Sequence, residues 1–268
     1  MSAIDERFQQ LREAGKKAFI PFVTAGDPSL DMTTRVLREL AQAGASIAEV
    51  GVPYSDPIAD GPVIQASYTR ALDSGFRLRE LWPAMAQCRA DLGQMPLVSM
   101  ISYSIIHRMG IDAFLDSAQG AGFSGAIVPD LLLEEGDTLR SAARQRDFSL
   151  IHLVTPTTDR DRMVRIAEAS TGFLYFVSVT GITGERNELP AELLDQVAWL
   201  KARTELPVCV GFGISRPEHV RMLRPIADGV IVGSAIVRRL AEHADADTAL
   251  GAVRQLAAEL IEALEEDA

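Results

Sequence analysis

The sequence predicts an α/β protein built as a single (β/α)8 TIM barrel with extra N-terminal and C-terminal helices. Eight short apolar runs alternate with segments of helical period from one end of the chain to the other. No Ser- or Gly-rich linker interrupts the 268 residues, and parallel α/β barrels commonly have this length. We therefore expect residues 1–268 to form one barrel domain.

The predicted elements follow one another in a regular order. An opening helix over 3–14, an extra turn over 62–74 and a closing helix over 246–266 are expected as additions to the barrel. Gly44 suits a left-handed cap at the end of the helical pattern over 31–44. The predicted strands cover residues 18–24, 47–51, 96–101, 125–129, 149–154, 173–178, 207–211 and 229–232.

An open, doubly wound sheet is the alternative architecture. Such a sheet would be expected to carry a glycine-rich fingerprint after its first strand, and "PFVTAGDPS" contains no GxGxxG. Eight strands with eight crossovers are explained more simply by a closed barrel.

Composition excludes several classes of function. The formal net charge of −11 argues against nucleic acid as a partner. No run of about 18 apolar residues predicts a membrane span, and the N-terminus lacks the apolar segment of a signal peptide. Two cysteines, Cys88 and Cys209, are too few for a disulfide framework. These features predict a cytoplasmic globular protein.

The stretch "AEVGVPYSDPIADGPVIQ" places a glutamate inside an apolar strand and two aspartates in the stiff loop that follows. Period-two alternation puts Ile47, Glu49 and Gly51 on one face of the strand. Because barrel enzymes work at the C-terminal ends of their strands, Glu49 is expected to point into the barrel mouth near Asp56 and Asp60.

Glycine-rich turns end the last two predicted strands. Gly211, Gly213 and Gly233, with a helix N-terminus near Ser234, form a predicted phosphate site at the position where barrels usually hold one. The simpler interpretation is that these glycines only form tight turns. The loop over 178–187 is predicted to close over a ligand, although an ordinary surface loop is nearly as compatible with it.

The side chains that the sequence does not place at the mouth limit the possible reactions further. The three lysines, Lys16, Lys17 and Lys201, lie away from the mouth, so a Schiff base is not expected. His152 is the one histidine on a predicted strand, and a core role suits it better than metal binding. General acid–base catalysis by carboxylates on a phosphorylated small molecule remains.

Six motifs then match a known family in order: "PFVTAGDP", "EVGVPYSDPIADGPVIQ", "VTPTT", "SVTGITG", "GFGIS" and "GSAIV". Together they strongly resemble the tryptophan synthase alpha subunit family. The resemblance implies a lyase of tryptophan biosynthesis that cleaves indole-3-glycerol phosphate to indole and glyceraldehyde 3-phosphate. It also implies an alpha2-beta2 heterotetramer with a beta subunit, which binds pyridoxal phosphate and receives the indole, and no cofactor or metal in this chain.

The resemblance also assigns residues by position. Glu49 and Asp60 match the catalytic carboxylates of the family. The positions matching its substrate-binding residues are the pocket residues Phe22, Tyr175 and Phe212, the closing-loop residue Thr183, and the phosphate-binding residues Gly184, Gly213, Gly233 and Ser234.

Two segments depart from the family pattern. "SYSII" stands where a Tyr-Tyr-Asn-Pro-like run is typical, so that Ser102 and Ser104 replace a pocket tyrosine and a loop asparagine. "PDLLLEE" has Leu132 and Leu133 in place of prolines. A free-standing lyase stays open as an alternative, because family relatives of that kind keep the same motifs. A non-catalytic activating partner and a sugar-phosphate isomerase are less compatible with the retained carboxylates and the 49–65 block.

Overall fold

The strands form one parallel sheet that curls into a barrel. The computed structural model describes residues 1–57, 60–178, 191–211 and 213–266. Within these ranges the strands pair in the order β5-β4-β3-β2-β1-β9-β8-β7-β6. They are β1 (Ala18–Thr24), β2 (Ala48–Gly51), β3 (Leu97–Met100), β4 (Phe123–Ile127), β5 (Ser149–Ile151), β6 (Leu153–Val154), β7 (Leu174–Val177), β8 (Val208–Gly211) and β9 (Gly229–Val232).

Helices surround this sheet and extend the chain at both ends. The terminal helices predicted over 3–14 and 246–266 are confirmed, and Gly44 ends the second helix with a φ of +99° as predicted. The helices are α1 (Ala3–Glu13), α2 (Leu30–Ala43), α3 (Pro62–Asp73), α4 (Leu78–Cys88), α5 (Tyr103–Met109), α6 (Ile111–Gly120), α7 (Asp137–Gln145), α8 (Arg160–Ala169), α9 (Ala191–Lys201), α10 (Pro217–Leu223), α11 (Ser234–Ala241) and α12 (Ala246–Glu265).

The barrel is nearly closed, because β5 and β6 are two segments of the predicted strand over 149–154. His152 alone separates them. β5 pairs with β4 and β6 pairs with β7, and the His152 carbonyl accepts a hydrogen bond from the Tyr175 N–H at 3.1 Å. The prediction of an unbroken strand is therefore wrong, since pairing changes from one neighbour to the other at this residue. The barrel prediction itself is confirmed.

Two further predictions differ from the structure. The strand predicted over 125–129 begins earlier, at Phe123, whose buried ring packs edge-on against Trp82 with centroids 5.8 Å apart. The extra turn predicted over 62–74 is the twelve-residue helix α3. Pro62 at the start of α3 favours a helix there, because its fixed φ suits the first helical position.

The core has two layers, and they follow the strand alternation. Ile47 packs with the residues that fill the barrel, whereas Ala48 and Val50 pack with the residues between strands and helices. At the N-terminal end of the barrel, α1 contributes Ile4 and Phe8 to the inner layer. The mouth is the opposite end, where β2 and the other strands end, and barrel enzymes hold their active sites at that end.

No helix among the described residues combines the length and the apolar character that a membrane span requires.

Candidate active site

Glu49 lies on β2 on the face that points into the barrel, as strand alternation predicts. It is 1% exposed, and neither of its carboxylate oxygens has a hydrogen-bond partner among the described residues. On the neighbouring strands it is in register with Phe22 and Val98, which belong to the inner layer. Burial first, and then the charge of Asp60, raises the pKa of Glu49 to about 8. The side chain is therefore protonated at neutral pH.

Asp60 follows β2 in a loop that local hydrogen bonds hold in place. The Asp60 N–H donates to the Pro57 carbonyl at 3.1 Å, and the Gln65 amide donates to the Asp60 and Pro57 carbonyls at 2.8 and 3.1 Å. The Asp60 side chain is buried, and burial raises its pKa to about 6. At neutral pH the pair thus consists of a neutral Glu49 and an ionised Asp60. Asp56, by contrast, is exposed and accepts a hydrogen bond from Ser55.

Aromatic side chains form the walls beside this pair. Phe22 and Tyr175 are both buried in the inner layer, where the sequence predicted pocket residues. A Cβ atom on Gly211 would lie 2.5 Å from the Tyr175 hydroxyl oxygen. Gly211, which the sequence had suggested for phosphate binding, thus makes room on β8 for the ring of Tyr175, which lies on the neighbouring strand β7.

Tyr68 is a site residue that the sequence analysis missed. It lies on α3, is 1% exposed, and packs its ring against Tyr54 with centroids 5.9 Å apart. A Cβ atom on Gly51 would lie 2.7 Å from the Tyr68 hydroxyl oxygen and 2.3 Å from Phe22 Cζ. The sequence shows a tyrosine in the helical segment after Asp60, but no local pattern indicates that its ring reaches β2.

Three of the predicted phosphate-binding residues, Gly213, Gly233 and Ser234, follow the ends of two adjacent strands. β8 and β9 are adjacent, Gly213 follows β8 with a φ of +76°, and Gly233 precedes α11, which begins at Ser234. N–H groups in the first turn of a helix lack intrahelical partners and attract anions. A Cβ atom on Gly233 would lie 3.5 Å from Phe22 Cβ, so this turn adjoins the aromatic wall.

Three predicted site residues lie outside the described residues. They are Thr183, Gly184 and Phe212.

Lys201 and His152 have surroundings that suit structural roles. Lys201 pairs with Asp228 at 2.8 Å, and the other oxygen of Asp228 accepts the N–H of Val208 at the start of β8, far from the mouth. Burial, with the nearby charge of Arg140, lowers the pKa of His152 to about 4, as suits a neutral core histidine. In the part of the chain that the structure describes, no three His, Cys, Asp or Glu side chains are grouped as a metal site would require.

The residues that depart from the family pattern have different surroundings in the structure. Ser102 is the N-cap of α5 and donates to the Asp130 carboxylate at 2.6 Å, and it also contacts the Ser104 hydroxyl. Leu133 is buried, but Leu132 is 56% exposed.

Comparisons with known proteins identify the family of the chain. The family model for the tryptophan synthase alpha chain matches residues 8–265. The tryptophan synthase alpha chain of Rhodopirellula baltica is 55% identical over 262 residues, covering 94% of this chain and 91% of that protein. The alpha chain of Synechocystis is 46% identical over 243 residues, covering 90% of this chain and 92% of that one.

Solved structures are similar along almost the whole chain. The alpha subunit of tryptophan synthase from Legionella pneumophila superposes with a TM-score of 0.90 at 33% identity, covering 99% of both chains. A chain in the aminoacrylate-bound form of tryptophan synthase from Mycobacterium tuberculosis has a TM-score of 0.87 at 31% identity, covering 99% of this chain and 100% of that one. The chain described here belongs to the tryptophan synthase alpha chain family.

Proposed function

We propose that this chain cleaves indole-3-glycerol phosphate to indole and glyceraldehyde 3-phosphate, the lyase reaction of the tryptophan synthase alpha chain. Membership of that family supports the reaction. The single observation that carries the mechanism is the carboxyl group of Glu49, which is buried, has no hydrogen-bond partner in the part of the chain that the structure describes, and has its pKa raised further by the charge of Asp60. Burying a carboxyl group without hydrogen bonds destabilises the fold, and groups whose pKa is shifted in this way are often found at functional sites.

Glu49 is assigned the proton transfers of the retro-aldol step. Its neutral carboxyl group donates a proton to C3 of the indole, which becomes an indolenine cation and accepts the electrons of the breaking bond. The resulting carboxylate then removes the proton of the side-chain hydroxyl as the bond between C3 and the glycerol chain breaks and the aldehyde forms. Glu49 is again protonated at the end, so protons and electrons balance without a metal or an imine.

Asp60 is assigned to the indole nitrogen. Protonation at C3 places positive charge on the indolenine N–H, and an ionised carboxylate accepts that hydrogen bond best when the charge has developed. Its pKa of about 6 keeps Asp60 ionised at neutral pH. The two roles thus require opposite protonation states, and the different pKa values of the two groups supply them.

The remaining substrate contacts are proposed from family position and placement in the fold. Phe22 and Tyr175 would hold the indole ring, and Gly213, Gly233 and Ser234 would bind the phosphate. Phe212, Thr183 and Gly184 complete the proposed set by family position, the last two in a loop that closes over the substrate. All of these residues would belong to one catalytic domain spanning 1–268.

The expected partner is a tryptophan synthase beta subunit, in an alpha2-beta2 heterotetramer in the cytoplasm. The similar M. tuberculosis chain comes from a structure of tryptophan synthase, which supports such an assembly. Pyridoxal phosphate would belong to the beta subunit, which would use the indole released here to make L-tryptophan.

The test is indole release from indole-3-glycerol phosphate, measured with and without a beta subunit. We expect slow release by the isolated chain and a kcat that rises when the beta subunit is added, because docking favours the closed state of the site. Fast release that a beta subunit leaves unchanged would indicate the free-standing lyase. No release in either condition would contradict the proposed function.

A further inference from the structure

Gly51 is the last residue of β2 and lies between Glu49 and the C-terminal end of the barrel. Strand alternation places Glu49 and Gly51 on the same inward face, about 7 Å apart along the strand. Glu49 is 1% exposed. A substrate that reaches its carboxyl group from the C-terminal ends of the strands must therefore pass beside Gly51.

The space that a side chain would occupy at Gly51 is filled by two aromatic residues. A Cβ atom there would lie 2.3 Å from Phe22 Cζ, 2.6 Å from Phe22 Cε2 and 2.7 Å from the Tyr68 hydroxyl oxygen. Carbon atoms in contact are normally about 3.5 to 4.0 Å apart, so the Phe22 ring would have to move by more than about 1 Å. The Tyr68 hydroxyl would need a smaller displacement, so the Phe22 ring is the main obstacle to a side chain at this position.

The backbone conformation does not explain why this residue is glycine. Gly51 lies within a paired strand, in register with Thr24 and Met100, and its φ lies outside the left-handed range. Gly213, by contrast, has a φ of +76°. The close approach of Phe22 and Tyr68 is therefore the structural reason for a glycine at position 51.

The Phe22 ring connects this position to the proposed phosphate site. Phe22 Cβ lies 3.5 Å from the position of a Cβ atom on Gly233, whereas the far end of the ring lies over Gly51. Phe22 is also in register with Glu49 on the neighbouring strand. A displacement of the ring at Gly51 would therefore move a wall that adjoins both the buried carboxyl group and the glycine turn before Ser234.

We propose that Gly51 determines the size of the indole pocket. Because position 51 carries no side chain, the Phe22 ring and the Tyr68 hydroxyl lie back against β2, and the indole ring of the substrate occupies the space that they leave beside Glu49. A larger residue at position 51 would push the Phe22 ring into that space and hold C3 of the indole away from Glu49. This inference rests on the proposed lyase reaction.

The first experiment measures kcat and KM for indole release by wild type, Gly51→Ala, Phe22→Leu and the double variant. Gly51→Ala should lose about a hundredfold in kcat/KM, because a misplacement of about 1 Å in a substrate-positioning group can cost that much. Phe22→Leu lacks the ring atoms that a Cβ atom at position 51 would meet, and it should lose about tenfold. Independent effects would combine to a loss of about a thousandfold, whereas a steric conflict leaves the double variant close to Phe22→Leu alone.

Gly251→Ala is the matched control for these variants. Gly251 lies on α12, and outside the backbone of that helix a Cβ atom there would meet none of the described residues within 4 Å. This variant should keep the wild-type kcat and KM.

The second experiment tests the size of the pocket with larger substrates. These are indole-3-glycerol phosphates that carry one methyl group at C4, C5, C6 or C7 of the indole ring. Phe22→Leu should raise kcat/KM for at least one of them by about tenfold relative to the unmethylated substrate, because space opens over Gly51. Adding Gly51→Ala should remove this gain, since the alanine methyl group occupies the opened space.

The proposal is overturned if Gly51→Ala keeps the wild-type kcat/KM, or if the double variant shows the combined loss of the two single variants. It is also overturned if Phe22→Leu gains nothing on the methylated substrates, or if the gain persists when Gly51→Ala is added. Thermal melting followed by circular dichroism shows which variants are folded. If Gly51→Ala does not fold, the methylated substrates with Phe22→Leu decide the outcome: a gain supports the proposal and its absence overturns it. A wild-type chain that releases no indole would overturn the proposed function and this inference with it.

Discussion

At the scale of single residues, the buried carboxyl group of Glu49 links chemistry to stability. Its folded-state pKa of about 8 lies above the ordinary value of 4.5. Between these values the folded state binds more protons than the unfolded state. The contribution of the neutral Glu49 to the free energy of unfolding is therefore fully present below about pH 4.5 and is lost as the pH rises through about 8. Residues that serve proton transfer are often destabilising in this way.

Glu49→Gln should accordingly stabilise the protein at alkaline pH, because glutamine stays neutral. The melting temperature of the variant relative to wild type should be nearly unchanged at pH 5 and higher by about 5 °C at pH 8.5. Thermal unfolding followed by circular dichroism at both pH values measures this difference. Glu135→Gln, at an exposed glutamate, is the control and should show no such trend. A difference that stays constant between pH 5 and 8.5 would contradict the raised pKa.

A site residue can be predicted from the sequence only when the pattern that marks it lies among its near neighbours in the chain. Glu49 could be placed because strand alternation and a carboxylate in an apolar run are both visible within five residues. Tyr68 could not be placed in the same way, because its approach to Gly51 depends on how α3 packs over β2. Strand alternation says nothing about which helix lies over which strand end.

At the scale of elements, α3 is the helix that follows the loop carrying Asp60 and attaches that loop to the barrel. Asp60 precedes this helix, Tyr68 lies on it, and Arg70 attaches it to Asp27, which is 6% exposed. The Arg70 side chain is itself 43% exposed, so the pair is partly solvated. Removing the arginine nevertheless leaves a buried carboxylate without its cation, which costs more than an exposed pair would.

Arg70→Met should lower the free energy of unfolding by about 2 kcal/mol, measured by urea denaturation at 25 °C. Adding Asp27→Asn should recover part of this loss, because the buried charge is then removed as well. Arg79→Met provides the control, since Arg79 is 84% exposed in its contact with Glu80, and it should change stability by less than about 0.5 kcal/mol. An effect of Arg70→Met as small as that of the control would show that this pair does not anchor α3.

At the scale of the whole molecule, the alternation of strands and helices was sufficient to predict the barrel. The predicted terminal helices and strand positions are confirmed, with the fourth strand displaced by two residues. The break at His152 was not predictable from the residues around it, because it reflects a change of pairing partner between β4 and β7. Local patterns thus specified which elements form, while closure of the ring decided how one of them pairs.

The most direct measurement is single-turnover release of indole from indole-3-glycerol phosphate at pH 7 by wild type and Glu49→Gln. Positioned proton transfer typically contributes about 10²–10⁴-fold, and Glu49 is assigned two transfers, so the variant should lose at least about a thousandfold in rate. Its unchanged circular dichroism spectrum and its stability at pH 7 would show that the fold is intact. Release by Glu49→Gln within a few-fold of wild type would contradict the assignment of the reaction to this buried carboxyl group.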